Sequence, residues 1–404
     1  TAAMNGGLFE PVNVSQAVDV VGFNYQIGAY DRFHEANPTL PLTSSEDTSG
    51  FMTRGEWVSD RERCIMAADD SEAAPWGATH RAAWRAIADR PWLAGGFVWT
   101  GFDYHGEPSP LVWPVISSFF GILDLCGFPK TAFWLHQAQW RAEPMLHLEP
   151  HWNWPGREGE PIKVIAITNL PEVELKLNGR SLGRQIVVDS AAEWTVPYEP
   201  GTLSAWAPYD PERFDDGPGL VEYVETQPEP VALRLVADGP LLGDGEHALP
   251  VAVWAVSAED AWQEMPTAAH EVTFSISGPV RIIGLGNGNP TCHEPEQGCR
   301  RSLFHGLAQV ILQSTGGSGE VVLTASAPGL ASAELRLTVA ETAPRSAVPV
   351  EPPTQRISRW RMSPVSPEPL DANLTIADSD MNSWLEVRPE TGCQCLPDDG
   401  WVLF

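Results

Sequence analysis

Near residue 140 the hydrophobic pattern of this chain changes period. Upstream, short continuous apolar runs are separated by helix-like segments. Downstream, apolar and polar residues alternate between Pro and Gly turns. Continuous runs suit parallel strands covered on both faces, whereas alternation suits antiparallel strands with one wet face. The pattern therefore predicts an α/β region followed by all-β domains.

In the upstream region the strand candidates are Thr1 to Met4, Val18 to Asn24, Leu42 to Ser45 and Gly95 to Thr100. A short helix is expected over Ala29 to Glu35 and a longer one over Ala78 to Asp89, with Ala83, Trp84 and Ile87 as its buried stripe. Helices between strands are what a parallel barrel requires. A whole eight-stranded barrel takes about 250 residues, and residues 1–140 hold about half of that. Half a barrel leaves its sheet edges open. The expectation is that the other half belongs to a missing N-terminal part, and the opening TAAMNGG reads as the end of a strand.

Residues 141–228 carry IKVIAITN, VELKLNG, RSLGRQIV, EWTVPYEPG and TLSAWAP, and residues 229–340 carry a second set from VALRLVAD to AELRLTVA. Strands with turn signals every 8 to 12 residues or so predict two immunoglobulin-like sandwiches. The Pro-rich stretch 341–369 reads as a linker. Residues 370–404 read as the start of a further β domain, too short to hold a core.

Charge narrows the partners. With 25 basic against 53 acidic residues among 404, the formal charge is -28, so nucleic acid and anionic membrane surfaces are repelled and neutral sugars are not. The 17 Trp suit sugar rings, whose C–H faces pack on indoles. Cys64, Cys126, Cys292, Cys299, Cys393 and Cys395 form no disulfide scaffold, although Cys292 and Cys299 could pair. No metal-ligand spacing or cofactor motif is visible, and no apolar run reaches about 18 residues. A periplasmic or extracellular setting is favoured over the cytoplasm, and a homo-oligomer is compatible with the chain.

Three stretches recur in order: DVVGFNYQ at 19–26, PLTSSEDTSGFMTRGEW at 41–57 and GGFVWTGFDYHGEPSP at 95–110. Each is an apolar run that breaks into aromatic and polar residues. The first polar residue past a parallel strand projects into the mouth of a barrel, and Glu46 occupies that position. Alone, Glu46 would read as a solvated loop acid or an N-cap partner. With FFGILDLCGFPK at 119–130, these stretches resemble the second half of the catalytic barrel of glycoside hydrolase family 2, the family of β-galactosidases, β-glucuronidases and β-mannosidases.

The resemblance implies that Glu46 is the nucleophile of a retaining exo-β-glycosidase, with galactoside the expected substrate. It implies that Tyr25 hydrogen-bonds that nucleophile, that Asn24 helps orient it and that Trp99 floors the sugar subsite. Asp103 and Glu107 could accept from sugar hydroxyls, or cap a loop, or pair with Arg54 of the family-like TRG. Trp113 and Pro114 could wall the pocket. Retaining enzymes need a second carboxyl about 5 to 5.5 Å from the first. The family's Asn-Glu acid/base pair is not found here, so the N-terminal part is expected to supply it, and the chain by itself is expected to be inactive. GLGNGN, at 284–289, resembles a structural turn of the family, and His80, His105, His136 and His293, scattered along the chain, are expected to be solvated or core histidines. The rival reading is a non-catalytic carbohydrate-binding or scaffolding fragment. An enzyme of another barrel family, a β-mannanase or agarase, would lack the NG and PYEPG features after the barrel.

Overall fold

The computed structural model describes residues 1–11, 13–209, 218–257, 265–342, 360–369 and 380–387. They fall into two compact units, Thr1–Pro344 and Arg345–Phe404.

The first unit opens with β1 (Ala2–Met4), β2 (Val21–Asn24), α1 (Tyr30–Ala36), β3 (Leu42–Thr48), α2 (His80–Ala88), β4 (Leu93–Trp99) and α3 (Thr131–Trp140). The strands pair in parallel in the order β1-β2-β3-β4, as their continuous apolar runs require. Val21, Phe23, Leu42 and Leu93 from the strands pack on Tyr30 and Phe33 of α1 and Ile87 of α2. Thr79 caps α2, its hydroxyl accepting from the Ala82 amide, and the helix buries Ala83, Ala86 and Ile87, while Trp84 is partly buried. Helix α3 was not foreseen. Its buried residues, Thr131, Ala132, Leu135, His136 and Ala138, leave no one-sided stripe to read.

Strand β3 runs three residues beyond its expected end at Ser45, because Glu46 pairs with Asn24 and Thr48 with Trp99. Irregularities break the register between Phe23 and Asn24 and between Ser44 and Asp47. Such breaks re-aim side chains at a strand end.

Next come β5 (Leu146–Glu149), β6 (Pro161–Thr168), β7 (Glu172–Leu177), β8 (Arg180–Ile186), β9 (Ala191–Pro197), β10 (Thr202–Pro208) and β11 (Gly219–Glu225). They form sheets β5-β6-β9 and β11-β10-β7-β8, with Trp152, Val164, Leu175, Trp194 and Leu203 in the core between them.

The strands β12 (Ala232–Ala237), β13 (Leu241–Leu242), β14 (Ala248–Val256), β15 (Glu271–Ser277), β16 (Val280–Gly286), β17 (Arg300–Ser302), β18 (Leu307–Ser314), β19 (Gly319–Ser326) and β20 (Ala333–Ala340) follow. Their sheets, β12-β14-β18-β16 and β13-β20-β19-β15-β17, close over Val251, Val253, Val310, Leu312, Val321 and Leu323. The short strands β13 and β17 lie at sheet edges and have too few residues to show a period. The chain is thus mostly β, with few helices among the described residues.

One buried joint ties the parallel region to the last pair of sheets. Arg54 Nε donates to Asp124 at 2.7 Å, and Arg54 Nη2 donates to the carbonyls of Asn287 and Phe304, both at 2.9 Å. Asp124 also accepts from the Cys126 and Phe128 amides. The GLGNGN stretch carries the end of β16 into the turn that meets this joint. Gly288 has φ +77°, and a Cβ there would lie 1.7 Å from Asp124 Oδ2.

In the second unit, β21 (Trp360–Met362) pairs antiparallel with β22 (Leu385–Val387). β21 lies within the stretch read as linker. Most of that stretch, and most of 370–404 with Cys393 and Cys395, lies outside the described residues. Cys64, Cys126, Cys292 and Cys299 are free thiols, and Cys292 Sγ accepts from Arg301 and Asn287 instead of pairing with Cys299.

Candidate functional site

The carboxyl ends of β2, β3 and β4 place Asn24, Glu46 and Trp99 on one rim. Asn24 Nδ2 donates to Glu46 Oε1 at 2.8 Å. Ser45 Oγ donates to Asn24 Oδ1 at 2.7 Å, which turns the amide so that its NH2 faces Glu46. The approach of Ser45 is open because position 22 is glycine, where a Cβ would lie 2.6 Å from Ser45 Oγ.

Tyr25 follows Asn24 and is buried, its amide donating to the Glu46 carbonyl at 2.7 Å. Burial pushes its hydroxyl up to about 12, the nearby Ser49 side chain pulls the other way, and the Glu46 carboxylate pushes in the same direction as burial. A phenol held protonated is a donor, and Glu46 is the acceptor beside it.

The backbone around this cluster is strained. Tyr25 and Gln26 have φ of 62° and 48°, and Thr48 and Ser49 have φ of 71° and 69°. Side-chain-bearing residues in the left-handed region cost about 1 to 3 kcal/mol each and gather at functional sites. Here they sit at two adjacent strand ends flanking Glu46. The Ala78 amide donates to the Thr48 carbonyl at 2.6 Å and the Ala74 amide to the Ser49 carbonyl at 2.9 Å, which hold the second pair in place.

Trp99 extends the rim through a relay. Its Nε1 donates to the Tyr104 hydroxyl at 3.1 Å, which donates to Glu107 Oε2 at 3.0 Å. Thr48 Oγ1 donates to the Trp99 carbonyl at 3.0 Å, linking the relay to β3.

Asp103 needs correction. Its carboxylate is buried and meets Lys130 Nζ at 2.6 Å, with the Gly121 amide at 2.9 Å, so its oxygens are engaged inside the fold and do not face a sugar. Arg54 pairs with Asp124, not with Asp103 or Glu107. Trp113 stands 76% exposed against the His293 ring. His80 and His136 are core histidines, His80 Nδ1 lying 2.9 Å from His136 Nε2, and the more exposed His105 meets Glu296 at 2.9 Å.

Three residues of this neighbourhood escaped the sequence reading: Ser49, Trp76 and Tyr104. Ser49 and Trp76 both act on the Tyr25 hydroxyl. Trp76 lies 51 positions from Tyr25 in the chain, and only its place in the Pro-Trp-Gly turn of the loop after β3 could have marked it. Beside Glu46 in the chain, Asp47 is buried and its Oδ1 has no partner among the described residues. Burial pushes its carboxyl up to about 7.

The arrangement presents a carboxylate at an open rim, with its rotamer fixed by a side-chain amide and a phenol beside it. A carboxylate placed so can act as a nucleophile or as a base. No group of three or more His, Cys, Asp or Glu among the described residues is suited to a metal, and no helix among them is long and apolar enough to cross a membrane.

Comparison with known proteins agrees with the geometry. Residues 233–336 match glycoside hydrolase family 2 C-terminal domain 5, and residues 159–210 match a domain of unknown function (DUF4982). The chain is 34% identical to the beta-galactosidase BoGH2A of Bacteroides ovatus over 349 residues, covering 81% of this chain and 40% of that protein. It is 29% identical to a putative beta-glucuronidase of Formosa agariphila, covering 72% of this chain and 28% of that one. The chain thus spans less than half the length of these relatives. A beta-glycosidase from Bacteroides vulgatus shares its fold with a TM-score of 0.71 at 29% identity, over 80% of this chain and 45% of that one. A glycosyl hydrolase family 2 member from Bacteroides cellulosilyticus does so with a TM-score of 0.66 at 25% identity, over 80% and 42%. With a relative of this family 34% identical over 81% of the chain and its C-terminal domain model matched, the chain belongs to glycoside hydrolase family 2.

Proposed function

We propose that this chain carries the nucleophile of a retaining exo-β-galactosidase. The reading rests above all on the Asn24 to Glu46 hydrogen bond between adjacent parallel strand ends. In it, the sheet β1-β2-β3-β4 is the second half of a (β/α)8 barrel, and the two pairs of sheets are immunoglobulin-like domains. The N-terminal part of the same enzyme closes the barrel and brings the acid/base carboxyl.

In the first step a Glu46 oxygen attacks the anomeric carbon while the acid/base residue protonates the departing aglycone oxygen. The glycosyl ester on Glu46 forms as the glycosidic bond breaks. In the second step water, losing its proton to the same acid/base residue, attacks that carbon and frees the Glu46 carboxylate. Asn24 and Tyr25 keep the attacking oxygen aimed, Trp99 lies under the apolar face of the sugar, and Glu107, reached through Tyr104, accepts from a hydroxyl.

Likeness to a protein named a beta-galactosidase supports galactoside as substrate. The second reading is a β-glucuronidase, supported by likeness to a protein of that printed name. The test supplies the N-terminal part, reacts the whole enzyme with a 2-fluoro galactoside whose glycosyl ester hydrolyses slowly, and maps the added mass. Attachment at Glu46 is expected, with loss of activity in Glu46→Gln. Label on a different carboxylate would overturn the assignment.

A further inference from the structure

A cleft of about 520 Å3 opens where the parallel region meets both pairs of sheets, and neither Glu46, Asn24, Tyr25 nor Trp99 lines it. Small-molecule sites occupy about 300 to 1,000 Å3 and favour the junctions of domains. Its walls include Trp134 of α3, His147 and Glu149 of β5, Glu222 of β11 and Trp254 of β14.

These groups form a built polar cluster on an aromatic wall. His147 stacks on Trp134 with ring centroids 4.0 Å apart. Its Nδ1 lies 2.9 Å from Glu222 and its Nε2 3.4 Å from Glu149, which also accepts from the Thr131 hydroxyl. Burial alone would discharge the imidazole, yet the two carboxylates carry it up to about 9. One imidazolium between two carboxylates leaves the cluster net negative. The side chains of Glu149 and Glu222 remain 18% and 32% exposed, so neither is sealed from solvent.

Ligand chemistry follows by elimination. An anion would meet net negative charge, because Arg54 and Lys130 on the same wall are engaged by Asp124 and Asp103. A wholly apolar ligand would strip water from two carboxylates and return no hydrogen bond. An organic cation would compete with the His147 imidazolium for the same charge, whereas a hydroxyl needs only a spare carboxylate lone pair. A neutral polyhydroxylated ring satisfies both surfaces, donating hydroxyls to carboxylate oxygens and laying its C–H face on an indole.

We propose that this cleft is a second, non-catalytic sugar site, which seats a neutral hexose unit on Trp254 and takes its hydroxyl protons on Glu149 and Glu222. The site does not depend on the chemistry assigned to Glu46. The whole chain would be titrated calorimetrically with galactose, glucose and glucuronic acid, beside Glu46→Gln, Glu222→Gln and Trp254→Ala. Both neutral hexoses are expected to bind the parent and Glu46→Gln alike and glucuronic acid more weakly, with a loss of about tenfold in Glu222→Gln and in Trp254→Ala. If Trp254→Ala does not fold, Glu222→Gln, in a partly exposed strand, carries the test. The proposal fails if neither hexose binds, if binding is lost in Glu46→Gln, if Glu222→Gln binds like the parent, or if glucuronic acid binds as tightly as galactose.

Discussion

Arg54 and Asp124 form a buried ion pair of 2.7 Å, their side chains only 7% and 1% exposed. Removing one member strands the other charge in the interior, at a cost of about 3–5 kcal/mol. Arg54→Ala should therefore lower stability by that amount in urea denaturation. Arg54→Lys should recover little of it, since an ammonium cannot reproduce the fork that also meets the carbonyls of Asn287 and Phe304.

Gly288→Ala strikes the same joint from the opposite side. The added methyl would meet both a positive φ and the Asp124 carboxylate. A loss of about 1–3 kcal/mol is expected from the backbone alone. Combined with Arg54→Ala, the effect should be clearly less than additive, because both changes break one contact. Additive losses in the double variant would show that the two residues act separately.

Asp47 predicts a pH dependence of known sign. Its folded carboxyl is raised to about 7, so the fold holds this proton after the unfolded chain has lost it. Its contribution is whole below about pH 4 and is lost as pH rises through about 7. Asp47→Asn should remove this decline, gaining on the order of a few kcal/mol at pH 8 relative to the parent. Denaturation midpoints across the range would measure it, and parallel curves for the two proteins would refute it.

His80 and His136 work in the opposite sense. Burial lowers both imidazoles to about 3, so the unfolded chain takes up protons first as pH falls below about 6.5. Their contribution is whole above that value and is lost as pH falls toward 3. His136→Gln is expected to give a shallower acid-side loss of Tm than the parent. In the parent this slope and that of Asp47 partly cancel, so each substitution exposes the other. An unchanged acid slope in His136→Gln would mean that the pair does not titrate as described.

Tyr25→Phe removes the phenol beside Glu46 and keeps the ring. In the whole enzyme, with its N-terminal part supplied, kcat should fall about 100-fold with little change in KM, as for loss of one charge-stabilising donor. Full activity in Tyr25→Phe would leave Glu46 without that support.

The strand ends were legible because apolar runs that break into polar residues mark where parallel strands surface. That pattern marks Glu46, whereas the parts given to Asn24, Tyr25 and Trp99 follow from the resemblance to the family. Helix α3 was not legible, since it is buried on too many sides to show a period. Nor was the fate of Asp103, because its partner Lys130 lies 27 positions away and enters through a separate loop.

From its order of residues alone, this chain determines the parallel strands, the alternating strands after them and the acid near the end of β3. These depend on neighbours within a few positions, and periodicity records such neighbours. Only the tertiary structure decided which charges face one another: Arg54 with Asp124, Lys130 with Asp103, His147 with Glu149 and Glu222. Apart from the local His147 to Glu149 contact, those pairs join residues far apart in the chain, and only packing can bring them together.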